Sequence, residues 1–285
     1  MRSWRLGRRA EVSGGEVAFD VFGVGPPVVL IHGTPSRSYI WRKVAPFLAG
    51  QFSVYVFDLL GYGDSTPSGG DVSIAAQAKA LAELFEQWGL DSPAVAGHDI
   101  GGAIALRAHL LGDVRFDRMA LLDVVVLRPW ITEASRHVQA HMDAYLTMPT
   151  HLYEQVVAAH LRTTVSRPME GDAFEAYMDQ WRGEGGQESY LRKVAQFDEK
   201  LTAEFEPLLG SVRIPVKIVW GAEDAWLDPA FAGRLHELLP TSAEPVLIPG
   251  AGHFAMEDAP DTVAEVLAGF FSADKELASR AGRTG

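Results

Sequence analysis

The chain has 285 residues, a net charge of −12 and no cysteine. That excludes disulfides, a thiol nucleophile and a thiolate metal site, and it disfavours a nucleic-acid partner, which needs concentrated Lys and Arg. With 47% hydrophobic residues the chain can bury a large core, and no stretch approaches the roughly 20 apolar residues of a membrane-spanning helix.

The N-terminus carries a basic cluster, Arg2, Arg5, Arg8 and Arg9, which is expected to be a solvated or disordered end. No apolar stretch follows Arg8-Arg9, so an export signal is not expected, and a soluble cytoplasmic protein, monomer or homodimer, is the default. Val28-Val29-Leu30-Ile31 reads as a buried strand and leads into His32-Gly33-Thr34-Pro35, with Thr34-Pro35 a candidate cis peptide. A second strand, residues 52–57, ends in Asp58-Leu59-Leu60-Gly61-Tyr62-Gly63. That segment lacks the third glycine of a dinucleotide fingerprint. Residues 73–88 have helical spacing of apolar positions and stop at Gly89.

Next comes Pro93-Ala94-Val95-Ala96-Gly97-His98-Asp99-Ile100-Gly101-Gly102, a strand, a tight turn and the start of an apolar helix. This is the setting of a nucleophile elbow with Asp99 where a serine commonly stands; side chains at the flanking glycines would collide with neighbouring backbone. A strand at 119–122 ends in Asp123. Residues 131–146, 152–163, 173–181 and 189–197 then read as helices with almost no strand-like runs, and Gly183, Gly185 and Gly186 read as a loop. Strand patterning resumes with Val216-Lys217-Ile218-Val219-Trp220 before Gly221-Ala222-Glu223-Asp224. Pro245-Val246-Leu247-Ile248-Pro249 follows, before Gly250-Ala251-Gly252-His253-Phe254. The tail from Ala273 is expected to be frayed.

An aspartate at such an elbow is a poor attacker of esters, because the leaving alkoxide outcompetes it. Attack at saturated carbon, with loss of halide or opening of an epoxide, instead leaves a stable ester that a second base must hydrolyse. His253 is the candidate base. Its partner acid is Asp224 or, alternatively, Asp123; Asp228 is expected only to cap a helix starting at Pro229.

The landmarks together resemble the α/β-hydrolase family, over roughly residues 17–271. The Asp99 elbow, His32-Gly33-Thr34-Pro35 and Trp41-Arg42 resemble its epoxide hydrolase and haloalkane dehalogenase branch. The resemblance implies an α/β fold, a mostly parallel twisted sheet with helices on both faces. It also implies a core domain of residues 1–128 and 213–285 and an inserted helical cap of residues 129–212. It implies a cofactor-independent hydrolase with backbone donors at Thr34 and Ile100 and a small apolar organic substrate with water as co-substrate.

Dehalogenases of the branch place Trp after the nucleophile, where this chain has Ile100. Those acting on fluoroacetate use arginines, where it has Ile100 and Ala103, with Arg107 too remote. Epoxide opening needs acidic donors, and Tyr145, Tyr153, Tyr177 and Tyr190 are the cap candidates, each of which packing alone also explains. An epoxide hydrolase is therefore the leading reading. A dehalogenase with an atypical halide site, β-lactone opening and a catalytically silent ligand-binding homologue are the alternatives. His32 reads as a packing residue. His137 and His141 have metal-ligand spacing without the Glu of a zinc-protease helix, so no metal is expected there. His151 and His160 are further cap histidines, and Trp130, Trp181 and Trp226 are candidates to line a pocket.

Overall fold

The computed structural model describes residues 4–281. Its first half alternates strands and helices: β1 (Arg8–Val12), β2 (Gly15–Phe22), β3 (Pro27–Ile31), α1 (Ala45–Leu48), β4 (Ser53–Phe57), β5 (Thr66–Pro67), α2 (Ile74–Trp88), β6 (Ala94–His98), α3 (Ile100–Leu111) and β7 (Met119–Leu122). Six helices follow without a strand, α4 (Glu133–Ala140), α5 (Met142–Leu146), α6 (Thr150–Arg162), α7 (Ala173–Met178), α8 (Gly183–Ala195) and α9 (Lys200–Ala203). The alternation then returns with β8 (Val216–Gly221), α10 (Ala230–Leu238), β9 (Val246–Ile248), α11 (Ala255–Asp258) and α12 (Pro260–Ala281).

The sheet runs β1-β2-β4-β3-β6-β7-β8-β9, with β5 paired to β2. Every pairing from β4 to β9 is parallel, and the β1–β2 end is antiparallel. Helices cover the parallel strands on both sides, so Val28 to Ile31 and Met119 to Leu122 lose all contact with solvent and read as continuous apolar runs. The strand order reverses beside β3, and the loops at the carboxyl ends of β3, β6, β7, β8 and β9 converge there. That is the crevice in which open α/β sheets hold ligands.

Helix α2 has the boundaries its sequence announces. Ser73 caps it by accepting from the Ala76 N–H, and Gly89 closes it in the left-handed region at φ 66°. The strandless segment is also as expected, with one interruption at His141 between α4 and α5.

Three expectations are corrected. Arg8 and Arg9 are not a loose end. They form β1, pair with Phe19 and Ala18, and sit beside Asp20 and Glu16 at 3.8 and 3.3 Å, while Arg5 lies 3.8 Å from Asp64; Arg2 is outside the described residues. Gly183, Gly185 and Gly186 are not a loop but the first turn of α8, where a Cβ on Gly186 would stand 2.3 Å from the Trp181 backbone. The tail does not fray at Ala273, since α12 continues to Ala281; residues 282–285 lie outside the described part. Among the described residues no helix is long and apolar enough to cross a membrane.

Candidate active site

Asp99 stands at the tip between β6 and α3 with φ 54° and ψ −122°, outside the regions a non-glycine residue ordinarily occupies. The turn holds because its flanks have no side chains. A Cβ on Gly97 would lie 2.6 Å from the Gly101 carbonyl oxygen, and one on Gly101 would lie 2.6 Å from the carbonyl oxygens of Ile31 and His32. The strained backbone is anchored by Asp99 N–H donating to Leu122 O at 3.1 Å and by Val125 N–H donating to Asp99 O at 3.3 Å.

The two carboxylate oxygens of Asp99 have different surroundings. Oδ1 accepts the Thr34 N–H at 2.7 Å. Oδ2 faces His253 Nε2 at 3.5 Å, and that nitrogen is buried without a hydrogen-bond partner. Ile100 is the first residue of α3, so its N–H has no carbonyl to meet within the helix and stays on the Asp99 side. Thr34-Pro35 is cis, as is Arg128-Pro129.

His253 follows β9, and its Nδ1 lies 2.9 Å from Asp224 Oδ2. Asp224 is fixed in turn by the N–H groups of Trp226 and Leu227, which donate to its Oδ1 at 2.7 and 3.0 Å. Of the two candidate acids, Asp224 therefore bonds the imidazole. Asp123 accepts the Gly221 N–H at 2.7 Å but makes no hydrogen bond to His253. Burial by itself lowers the basicity of His253; the Asp224 and Asp99 carboxylates override it and hold the imidazolium well above the usual histidine range. Burial pushes Asp224 up, and the charge and Nδ1–H of His253, with the N–H groups of Leu227 and Trp226, bring it below its ordinary value.

The other predicted positions fall into place as follows. His32 is a structural residue: its Nε2 accepts the Leu59 N–H at 2.9 Å, so Nδ1 carries the proton toward Gly33 O, also at 2.9 Å. Asp228 accepts the Ala230 N–H at 2.9 Å at the start of α10, a capping contact. Arg107 is committed to Glu204 at 2.6 Å and to Leu201 O. The His137 and His141 rings meet at 4.6 Å between centroids, tilted by 53°, and His151 is exposed. The one group of potential metal ligands among the described residues is Asp123, Asp224 and His253.

Asp99 borders a chamber of about 30 Å³, lined by Thr34, Ile100, Trp130, Ser135, Phe197 and Trp226 among others. It has room for about one water molecule. Both indoles on its wall are already engaged, Trp130 Nε1 with Thr202 Oγ1 at 2.9 Å and Trp226 Nε1 with Thr163 Oγ1 at 2.8 Å. Trp181 lies outside it, donating to Pro35 O at 2.8 Å.

None of the four tyrosines lines this chamber. Tyr145, Tyr153 and Tyr190 line a separate cavity of about 420 Å³ with His137 and His160; the two spaces share Ser135 as a wall. The Tyr153 hydroxyl is buried there without a partner. Tyr177 does not belong with them. Its hydroxyl donates to Glu257, which also pairs with Arg42 and Lys43.

Two site neighbours escape the sequence reading. His98 Nε2 lies 2.9 Å from the His253 carbonyl oxygen and must donate to it, while burial takes the His98 pKa down to about 3 and keeps the ring neutral. The adjacency of His98 to Asp99 was its only signal. Glu257, four residues after His253, was the other.

A strained acidic elbow, a histidine after the last strand and an acid after the preceding one, all at the carboxyl ends of a parallel sheet, define an α/β-hydrolase arrangement. The family model described as alpha/beta hydrolase fold matches residues 26–260, and the chain belongs to that family. Among its relatives, haloalkane dehalogenase 2 of Mycobacterium tuberculosis is 28% identical over 275 residues, covering 90% of this chain and 91% of that protein. A fluoroacetate dehalogenase of a Burkholderia species is 28% identical over 279 residues, covering 88% and 89%. The solved structure of an α/β-hydrolase fold protein from Burkholderia ambifaria superposes with a TM-score of 0.88 at 32% identity, covering 93% of this chain and 97% of that one.

Proposed function

We propose that this chain hydrolyses a small to medium apolar substrate at a saturated carbon through a covalent alkyl ester on Asp99. The observation that carries the reading is the division of labour between the two Asp99 oxygens. Oδ1 is held by the Thr34 N–H at 2.7 Å, and Oδ2 faces an unpartnered imidazole nitrogen.

Oδ2 is the attacking oxygen. Its lone pair forms the ester C–O bond as the bond to the leaving group breaks and its electrons depart with that group. In the second step His253 Nε2 removes a proton from water, whose oxygen adds to Cγ of Asp99. The negative charge gathers on Oδ1, between the N–H groups of Thr34 and Ile100, donors worth on the order of 3 kcal/mol each. Collapse expels the alkoxide, which takes the proton from His253. Asp224 holds the ring in the tautomer this requires.

The first step prepares the second. While Asp99 is charged, it helps hold His253 protonated. Esterification removes that charge, the imidazole loses a proton more readily, and it becomes competent as a base. Residues 129–212, which bring Trp130, Ser135 and Phe197 over Asp99, act as the cap, and the wall at Ser135 must move to join the chamber of about 30 Å³ to the cavity of about 420 Å³ before a substrate larger than water reaches Asp99.

Epoxide opening is the preferred first step. An epoxide leaves as an alkoxide and needs an acidic donor, and the buried, unpartnered hydroxyl of Tyr153 lines the cavity sharing Ser135 with the Asp99 chamber. Halide displacement is the second reading, favoured by the names of the two dehalogenase relatives; the indole N–H groups of Trp130 and Trp226 on the chamber wall would first have to leave Thr202 and Thr163 to hold a halide. Diol formation measured beside halide release separates them.

The mechanism itself is tested with His253→Gln, which is expected to stall after the first step. Mass spectrometry after brief exposure to a turned-over substrate should find the alkyl adduct on Asp99. A variant that stays unmodified while the wild type turns that substrate over would end the proposal. Ligand binding without any product over hours would instead mark a silent homologue.

A further inference from the structure

The residue left over by this reading is Asp123. It follows β7 with φ 46°, fully buried, and its Oδ1 accepts the Gly221 N–H at 2.7 Å while its Oδ2 has no donor. A carboxyl oxygen of Asp123, one of Asp224 and a ring nitrogen of His253 all lie within 4.8 Å of one another. The charged or titratable groups acting on Asp123 are Asp224 after β8 and His253 after β9, and Asp99 faces the same imidazole at its Nε2. Three acids thus surround a single imidazolium in an interior that solvates none of them. Two adjoining carboxylates in such a place do not both ionise.

The hydrogen bonds decide which one keeps the proton. Asp224 receives three donors, from Trp226 N, Leu227 N and His253 Nδ1 at 2.7, 3.0 and 2.9 Å. Asp123 receives one. Donors favour the ionised form. We propose that Asp123 is a neutral carboxylic acid that donates its proton to the Asp224 carboxylate, and so acts as a positioning residue for the His253–Asp224 pair. Burial and the adjacent Asp224 charge both push Asp123 well above the ordinary carboxyl range, in accord with this geometry.

The role follows from charge. A second anion beside Asp224 would bind the His253 proton too firmly for the ring to serve as a base once Asp99 is esterified. A neutral O–H donor in the same place fixes the Asp224 carboxylate without adding that charge. The catalytic significance rests on the proposed mechanism, but the protonation state does not.

Two measurements on the intact, substrate-free protein decide it. Carbon-13 NMR of aspartate carboxyl carbons is expected to show one that keeps the chemical shift of a protonated acid through neutral pH and disappears in Asp123→Asn. Asparagine tolerates the positive φ and its amide reproduces the donor. Titration of the His253 ring by NMR is expected to move by less than about 0.5 pH unit in that variant, because no charge is lost. A wild-type spectrum with every aspartate ionised at pH 7 overturns the assignment, as does a fall of a unit or more in the His253 titration of Asp123→Asn. If the variant does not fold, the wild-type carboxyl spectrum still decides. Neither readout needs turnover, so a failure to alkylate Asp99 would end the ester mechanism and leave this assignment standing.

Discussion

The indole of Trp226 lies nearly parallel to the imidazole of His253, with ring centroids 5.0 Å apart and planes inclined by 22°. On its other side it stacks on His160 at 4.2 Å and 14°. Its backbone N–H donates to Asp224 Oδ1 at 2.7 Å, and its ring N–H to Thr163 at 2.8 Å. One residue therefore sets the plane of the proposed base, holds the acid behind it and walls the chamber above Asp99. Burial and the neighbouring His253 take the His160 pKa down to about 4, so the outer member of the stack is neutral at pH 7.

Trp226→Ala keeps the backbone donor to Asp224 but frees the His253 ring and widens the chamber. Misplacing a catalytic group by about 1 Å can cost on the order of 100-fold. We expect the hydrolytic step to slow by at least about 10-fold, alkyl-enzyme to accumulate, and bulkier substrates to gain relative to small ones. Single-turnover kinetics over substrates of graded size would show it; unchanged rates and unchanged size preference would remove Trp226 from the mechanism.

Glu257, four residues past His253, anchors a separate buried polar cluster. Its side chain is 3% exposed and meets Arg42, Lys43 and the Tyr177 hydroxyl. Arg42, itself only 14% exposed, also sits 4.0 Å above the Tyr39 ring. Deleting one member of a buried ion pair leaves the other charge uncompensated, typically at a cost of about 3–5 kcal/mol. Glu257→Ala is expected to lose about 3 kcal/mol in urea denaturation, and Tyr177→Phe about 1 kcal/mol. A smaller effect of Tyr177→Phe on turnover than on stability would agree with its placement away from Asp99.

The elbow was legible because its chemistry and its backbone demand the same residues: glycines at 97 and 101 are required by contacts closer than 3 Å. His253 was legible from chain order, and its acid only as one of two aspartates. What chain order cannot supply is which of two acids bonds the imidazole, because β7 and β8 are neighbours and both end in an aspartate beside it. The donors over Asp99 were illegible for a related reason. Tyr177 looks like the other cap tyrosines until the fold brings Glu257, distant in sequence, to its hydroxyl. Three glycines at 183–186 carry a loop signal locally, yet they open α8, and the close approach of the Trp181 backbone shows why position 186 has no side chain. The charged edge strand at Arg8–Val12 has too few residues to show its alternation.

Acid sensitivity should trace to neutral buried histidines. Burial lowers the His32 pKa from 6.5 to about 4, so between those values the unfolded chain takes up a proton that the folded protein refuses. Stability present above pH 6.5 is then lost as pH falls toward 4, up to about 3 kcal/mol for this residue. His32→Gln, which can still accept the Leu59 N–H, is expected to flatten the dependence of the unfolding midpoint on pH in that window. An identical slope in wild type and variant would exclude His32 as its source.

Tyr153 offers the sharpest separation of the two leaving-group readings. Its hydroxyl is buried with no partner in a cavity lined by Tyr145, Tyr190 and His160. An unsatisfied buried hydroxyl costs about 1–3 kcal/mol, so Tyr153→Phe should leave the thermal midpoint unchanged or raise it. That makes the variant a clean test of chemistry, since any loss of turnover cannot come from lost folding. An epoxide oxygen leaving as alkoxide needs the donor, and its removal should lower kcat/KM by about 100-fold. A halide leaves without a proton, so dehalogenation should proceed at the wild-type rate. The same substitution thus gives opposite outcomes on two substrates. Full epoxide turnover by Tyr153→Phe would move the donor elsewhere in the cavity, with Tyr145 and Tyr190 the next hydroxyls to replace.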